Sequence, residues 1–339
     1  MPKTINLPRW LKYGRGPSLL AASALCLAAA IANAADWKPV KRIEIIVPSS
    51  AGGGNDRVAR LVHKLILDGR LVEAVTTVVN KPGGGGAIGY AYLNQHPGDG
   101  HFLAITSVTL VADHLTGRTA IGYSDVTPVA QLFTEYVGFA VRPDSRIRTG
   151  RDLLALLKTD VGSVSSAIAT TLGNHNHIAL ALVGRAAGGD ARKLRIAVFN
   201  SGSESITAAL GGHVDLVVTP AATALPHVQA GRLRFIAVTS PRRLEGPLAE
   251  VPTWHELGAN AVVSNWRVVI GPKEMPAPQI SYWESILGRV VQSDEWRSML
   301  ERDVLAGEYR RSAETREFLR AQYEEIKGVL TEIGLVKQP

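Results

Sequence analysis

The stretch KRIEIIV at residues 41–47 is rich in β-branched residues and predicts a strand. PSSAGGGND interrupts it, and VARLVHKLIL at 58–67 resumes with apolar residues at helical spacing. The same order returns roughly one βαβ unit later as VTTVVN (75–80), KPGGGG and AIGYAYLNQ (87–95). HFLAITS at 101–107 predicts a third strand. Strands joined by helices imply a parallel α/β layer with its ligand edge at the strands' carboxyl ends, where both glycine loops fall. The right-handed crossover rule is taken to place both helices on one face, so that their first turns converge.

A second α/β set follows. VGFAVR (137–142) predicts a strand, TGRDLLALLKTD a helix, SVSSAIAT a strand, and a helix starts near His177. LRIAVFN, a helix through Leu210, HVDLVVT and LRFIAVTS complete it, and WHELG, SNWRVVIGP and two charged amphipathic helices close the chain. The fold class is therefore α/β with two lobes, each a sheet flanked by helices. Lobe 1 is residues 35–137 plus 266–339 and lobe 2 is residues 138–265, and the ligand cleft lies between them.

Residues 1–34 stand apart. Lys3, Arg9, Lys12 and Arg15 precede an apolar run from Leu19 to Ile31, and Ala32, Asn33 and Ala34 form a small-residue cleavage site. This is a secretory signal peptide cut near Ala34/Ala35, its apolar run being shorter than the roughly 20 residues that span a bilayer. The only cysteine, Cys26, lies inside it. Leu25 precedes that cysteine, where lipid attachment wants a small residue, so the exported chain is expected to be soluble and without a thiol. Thiolate catalysis, disulfides and thiolate metal sites drop out. Removing four basic residues from 37 leaves 33 against 30 acidic ones, a net +3 too small and too scattered for a nucleic-acid footprint.

The four glycines at 83–86 raise a nucleotide reading, because Gly84, Gly86 and Gly89 fit G-x-G-x-x-G after a strand. A dinucleotide site also wants an acid at the end of the next strand, and that strand ends in Thr106, Ser107 and Val108. No Gly-Lys-Ser/Thr follows either loop, which removes a P-loop. Free amides at a helix start attract anions without any charged side chain, and two such ends at one cleft suit a carboxylate.

These stretches resemble the periplasmic solute-binding proteins of tripartite tricarboxylate transporters, the Bug family, over essentially the whole exported chain. The resemblance rests on IIVPSSAGGGNDRVAR, VVNKPGGGGAIG, PGDGHFLAITS, ALGGHVDLVV, AGRLRFIAVTSPRR, VPTWHELG and NWRVVIGP. It implies the two-lobed, type II-like periplasmic-binding-protein fold with the ligand cleft between lobes, and a non-enzymatic protein that captures a small aliphatic or aromatic mono- or dicarboxylate in the periplasm. The ligand would pass to inner-membrane permease subunits; no cofactor, metal or nucleic acid is involved, and a monomer is expected. The resemblance assigns ligand binding to Ala51, Gly52, Gly53, Gly84, Gly85 and Gly86 through main-chain amides, with Thr106 and Ser107 as a further contact region. It gives Asp56 the part of capping the helix and ordering the loop.

Departures from the family pattern fall at Ser49, Ser50 and Ala51, which put two hydroxyls before the first glycines, and in lobe 2 in the loop from Gly173 to Ile178 and at Phe199, Asn200, Ser201 and Gly202. Ser49, Ser50, Gly173, Asn174, His175, Ser201 and Ser203 join the expected ligand-binding set. His175 is a donor to a ligand carboxylate or an exposed loop residue, and His177 packs at a helix start; the pair lacks the partners of a metal site. The serines are ligand donors or helix caps, since no nucleophile elbow surrounds them. Trp266 belongs to the core or closes over an aromatic ligand, and Lys81 lends electrostatic help. A ligand sensor for a membrane receptor, or more remotely an NAD-linked enzyme, are the competing functions.

Overall fold

The computed structural model describes residues 37–337, and the fold is built from Pro39 onward. The leader, Cys26 and the cleavage site lie outside the described residues. The chain begins with β1 (Ile43–Val47), α1 (Gly54–Asp68), β2 (Thr76–Asn80), α2 (Ala87–Asn94), β3 (Phe102–Thr106) and α3 (Thr109–Leu115). A long strand, β4 (Thr127–Val141), leads to α4 (Gly150–Thr159), β5 (Ser165–Ala169), α5 (His175–Ala186), β6 (Arg195–Phe199) and α6 (Gly202–Leu210). Then come β7 (Leu216–Pro220), α7 (Ala221–Gln229), β8 (Arg234–Val238) and β9 (Ser264–Gly271). α8 (Ala277–Val291), α9 (Asp294–Arg302), β10 (Arg310–Arg311) and α10 (Ser312–Glu332) finish the chain.

The strands follow one hydrogen-bonded path, β2-β1-β3-β9-β4-β7-β5-β6, with β8 and β10 also pairing β4. β4 belongs to both ends of that path. From Thr127 to Tyr136 it runs antiparallel to β9, and from Val137 onward it pairs β7 and β8. All its residues are buried, so it carries no alternating pattern, and only its last third was legible as a strand.

Both ends repeat one order. β1 lies between β2 and β3, and β5 lies between β6 and β7, all parallel within each trio. The chain therefore steps outward to β2 and back across β1 to β3, and right-handed connections in opposite directions put α1 and α2 on opposite faces. The side chains agree: Ile46 of β1 packs with Tyr90 and Leu93 of α2, and Tyr92 donates to Glu44. This corrects the expectation of one shared face. Both helices still leave the carboxyl edge of neighbouring strands, beside β1, at a switch point of the kind that binds ligands in open α/β sheets.

Contact between the loops is direct. Gly89 of α2 sits so close to Pro48 that a Cβ there would lie 2.7 Å from Pro48 Cβ and 2.8 Å from its Cα. The third glycine of the nucleotide-like motif is thus a packing residue. The closing segment also differs from expectation, with three helices in place of two. Ser293 accepts from the Trp296 N–H and starts a new helix two residues after α8 ends. α10 then lies against α3, α5 and β4.

Gly89→Ala should lower stability. Overpacking against backbone costs about 1–3 kcal/mol, more than the roughly 1 kcal/mol that alanine gains in a helix. Gly328→Ala, in α10 with nothing within 4 Å of its new Cβ, should instead be neutral or stabilising. Urea unfolding of the two variants checks the contrast.

Candidate functional site

The first glycine loop is held by an acid. Asp56, 2% exposed, accepts from the Gly52 N–H at 2.8 Å, from Asn80 Nδ2 at 2.9 Å and from Arg60 Nε at 2.9 Å. Asn80 also donates to the Ser49 carbonyl, tying the loop to the end of β2. Arg60, with the Gly52 amide and Asn80, holds the Asp56 carboxyl down at about 2. Asp56 does not cap α1: the N-cap is Gly53, which has no side chain, and Asp56 reaches back from the third helical position. The Gly52 amide is therefore already used, and the free donors are those of the first turn, starting at Gly53 and Gly54. Ser49 is half-buried, while Ser50 and Ala51 are exposed.

The second loop differs in charge. Gly83, Gly84, Gly85 and Gly86 all have positive φ, from 58° to 126°, which only glycine adopts without strain. Gly86 is the N-cap of α2. Behind Gly85 stands Asp113, whose Oδ2 lies 2.6 Å from where a Cβ would sit. Asp113 pairs with Arg118, and burial pushes its carboxyl upward against that pairing. Thr106 and Ser107 are buried; the Thr106 hydroxyl is bonded to Tyr90 Oη at 2.6 Å and Ser107 Oγ lies 3.3 Å from Thr109 Oγ1. Lys81 sets its ammonium 4.1 Å from the Tyr92 ring centre.

In the other half, Asn174 caps α5: its Oδ1 accepts from Asn176 and His177 N–H, and its Nδ2 donates to the Ala169 carbonyl and to Thr170. His177 Nδ1 accepts the Gly173 N–H at 2.9 Å, which requires a neutral ring, and burial lowers its pKa to about 4. Gly173 packs toward Thr116, Leu330 and Leu335. Ser201 caps α6 by accepting from Glu204, and Ser203 is exposed. Both ring nitrogens of His175 are buried without a hydrogen-bond partner. Its pKa is lowered to about 3 by burial and by Arg267, so the ring is neutral. Trp266 is fully buried and donates to Gln322, a core position. Among the described residues no group of three His, Cys, Asp or Glu is placed to hold a metal.

A cavity of about 510 Å³ opens beside the first loop. It is lined from one side by Gly54 and Arg57 of α1, from the other by Ala222 and Thr223 of α7, and its floor is Phe133, Glu135 and Arg267. Phe133 stands opposite Arg267, and Glu135 opposite Asn265, in the β4–β9 pairing. Cross-strand partners share a face. Arg267 Nη2 donates to Glu135 Oε2 at 3.0 Å, with both residues buried. Burial pushes the Glu135 carboxyl up, against Arg267 and Arg57, and pushes the Arg267 guanidinium down. Glycine at 54 leaves the end of the arginine in this position, since a Cβ there would stand 2.7 Å from Nη2 and push it aside. The sequence reading passed over Arg267 and Glu135. The signal was present as single charges inside the apolar runs NWRVVIG and FTEYVGFAV.

A family model described as "Tripartite tricarboxylate transporter family receptor" matches residues 58–335. Protein BugT of Bordetella pertussis is 28% identical over 244 residues, covering 70% of this chain and 73% of the relative. A TctC solute-binding protein from Polaromonas superposes with a TM-score of 0.73 at 25% identity, over 87% of this chain and 99% of that one. An R. palustris protein solved with adipate gives a TM-score of 0.75 at 21% identity, over 89% and 99%. These neighbours share the two-lobed fold.

Asp56 gives the loop a pH signature. Its folded carboxyl sits below the ordinary 3.8, so its contribution is full above about pH 4 and fades as pH falls toward 2. Asp56→Asn should cost about 2 kcal/mol at neutral pH, with the gap to the parent closing near pH 2. Urea titrations at several pH values read the gap directly.

Proposed function

Because the chain belongs to the tripartite tricarboxylate transporter receptor family of solute-binding proteins, we propose that it captures a small carboxylate in the periplasm and delivers it to inner-membrane permease subunits. Members of this family are binding proteins and not enzymes, which sets the NAD-linked alternative aside. The observation that carries the reading is the cavity where the start of α1 meets Arg57 and Arg267 and is faced across the gap by α7. Its volume falls within the roughly 300–1,000 Å³ of small-molecule sites. The adipate held by the R. palustris neighbour supports a carboxylate of similar size.

Energetics explain why two halves are used. A helix start contributes about 0.3–2 kcal/mol to an anion, and a hydrogen bond to a charged group about 1.5–3 kcal/mol. Micromolar binding needs about 8 kcal/mol. The remainder comes from enclosing the ligand, so closure of residues 138–265 against residues 35–137 with 266–339 is part of the mechanism. The bending points are Tyr136 to Val137, where β4 changes partners, and the start of β9. In this reading the first-turn amides at Gly53 and Gly54 take one carboxylate. Ser49, Ser50, Ala51, the amides of Gly84, Gly85 and Gly86, and the polar groups near Gly173, His175, Ser201 and Ser203 form the rim that closes over the ligand. Thr106 and Ser107 brace the second loop through Tyr90 and Thr109.

A thermal-shift screen over aliphatic and aromatic mono-, di- and tricarboxylates should give at least one ligand that raises the melting temperature. At a hundredfold excess over Kd the stabilisation is about 2.7 kcal/mol. Stabilisation by NAD(P) or nucleotides with none by carboxylates would overturn the reading.

A further inference from the structure

The charges around the cavity do not balance. Arg57, Arg267 and Arg302 face Glu135 and Asp303, three positive against two negative, and Arg302 and Asp303 are bonded to each other at 2.9 and 3.2 Å. What remains is Arg57 and Arg267 against the single carboxylate of Glu135, next to the positive end of α1. One ligand carboxylate finds a countercharge here, and a second finds none.

The two buried members of the set have unspent bonding capacity. Arg267 Nε is buried without a partner, and its Nη1 makes only long contacts, 3.3 and 3.4 Å, to the Trp266 and Asn265 carbonyls. Glu135 accepts Arg267 and Asn265 through Oε2 alone, and among the described residues nothing donates to its Oε1. Thr219 Oγ1, beside the start of α6, and the ring nitrogens of His175 are, like Arg267 Nε, buried and unpaired. Groups of this kind are costly unless a ligand satisfies them.

We infer that Arg267 and Glu135 determine specificity by reading a carboxylate with a hydrogen-bond donor beside it, as in a 2-hydroxy or 2-amino monocarboxylate. This rests on the cavity being the carboxylate site proposed above. Arg267 takes the carboxylate together with the first-turn amides of α1. Glu135 Oε1 takes the donor, and because Arg267 and Glu135 are themselves 3.0 Å apart, donor and carboxylate must be close neighbours on the ligand. A second carboxylate at the donor's position would meet the carboxylate of the buried Glu135, and like charges there repel more strongly than in bulk water.

The test is calorimetric titration of the exported chain with hexanoate, 2-hydroxyhexanoate, 2-aminohexanoate, 2-carboxyhexanoate and adipate. The hydroxy or the amino acid should bind at least about tenfold more tightly than hexanoate and 2-carboxyhexanoate, and which of the two leads tells hydroxyl from ammonium. Glu135→Gln should erase the advantage of the amino acid and raise the affinity for 2-carboxyhexanoate. The double variant Glu135→Gln with Arg267→Met, which leaves no lone buried charge, should lose all of them. Equal affinities across the 2-substituted series, an unchanged ranking in Glu135→Gln, or binding of adipate with none of the 2-substituted acids overturns the inference while the carboxylate reading stands. Binding of no carboxylate in this series or the wider screen overturns both.

Discussion

The antiparallel pairing of β4 with β9 is the joint on which both halves hang. Eight register pairs, from Thr127 with Gly271 to Tyr136 with Ser264, tie the entering and returning segments together. Beyond Tyr136 the same strand is committed to β7 and β8. The change of partners is confined to Tyr136 and Val137, so the two sets of strands are joined through one continuous, fully buried strand. The ladder also fixes the floor of the cavity. Phe133, Glu135, Asn265 and Arg267 share one face because strand geometry leaves them no alternative.

Around that floor the two glycine loops are less alike than their sequences suggest. The first surrenders one amide to Asp56 and gains the guanidinium of Arg267, whereas the second has the Asp113 carboxylate behind it. Glycine serves different ends in each. At Gly54 it yields room to a side chain, at Gly83 to Gly86 it supplies positive φ, and at Gly89 it lets a helix touch Pro48. The first loop thus has a guanidinium beside it, while the carboxylate behind the second is already paired with Arg118.

Much of the fold was legible because β-branched runs, glycine breaks and helical spacing agree in β1 to β3 and in β5 to β8. The omissions have physical causes. α3 is short and buried on most sides, with Leu110, Val111, Ala112, Asp113 and Leu115 all inside, so it shows no polar face. α7 contains Pro226, which reads as a breaker. The opposite placement of α1 and α2 depends on strand order, which no local pattern carries. The glycine loops were visible as candidates, and the resemblance to the family pointed to the same residues. Arg267 and Glu135 were overlooked because they belong to strands assigned to the core, where a charge was read past in favour of its apolar neighbours.

The fit of Gly54 against Arg267 joins positions far apart in the chain. A side chain at 54 would meet the far end of the arginine, whose Nη2 would have to swing away, and Nη2 is the atom that donates to Glu135. Loss of the arginine altogether would strand Glu135 in the interior without its countercharge. A change at 54 is therefore felt at 135 through 267, although neither strand residue is near it in sequence.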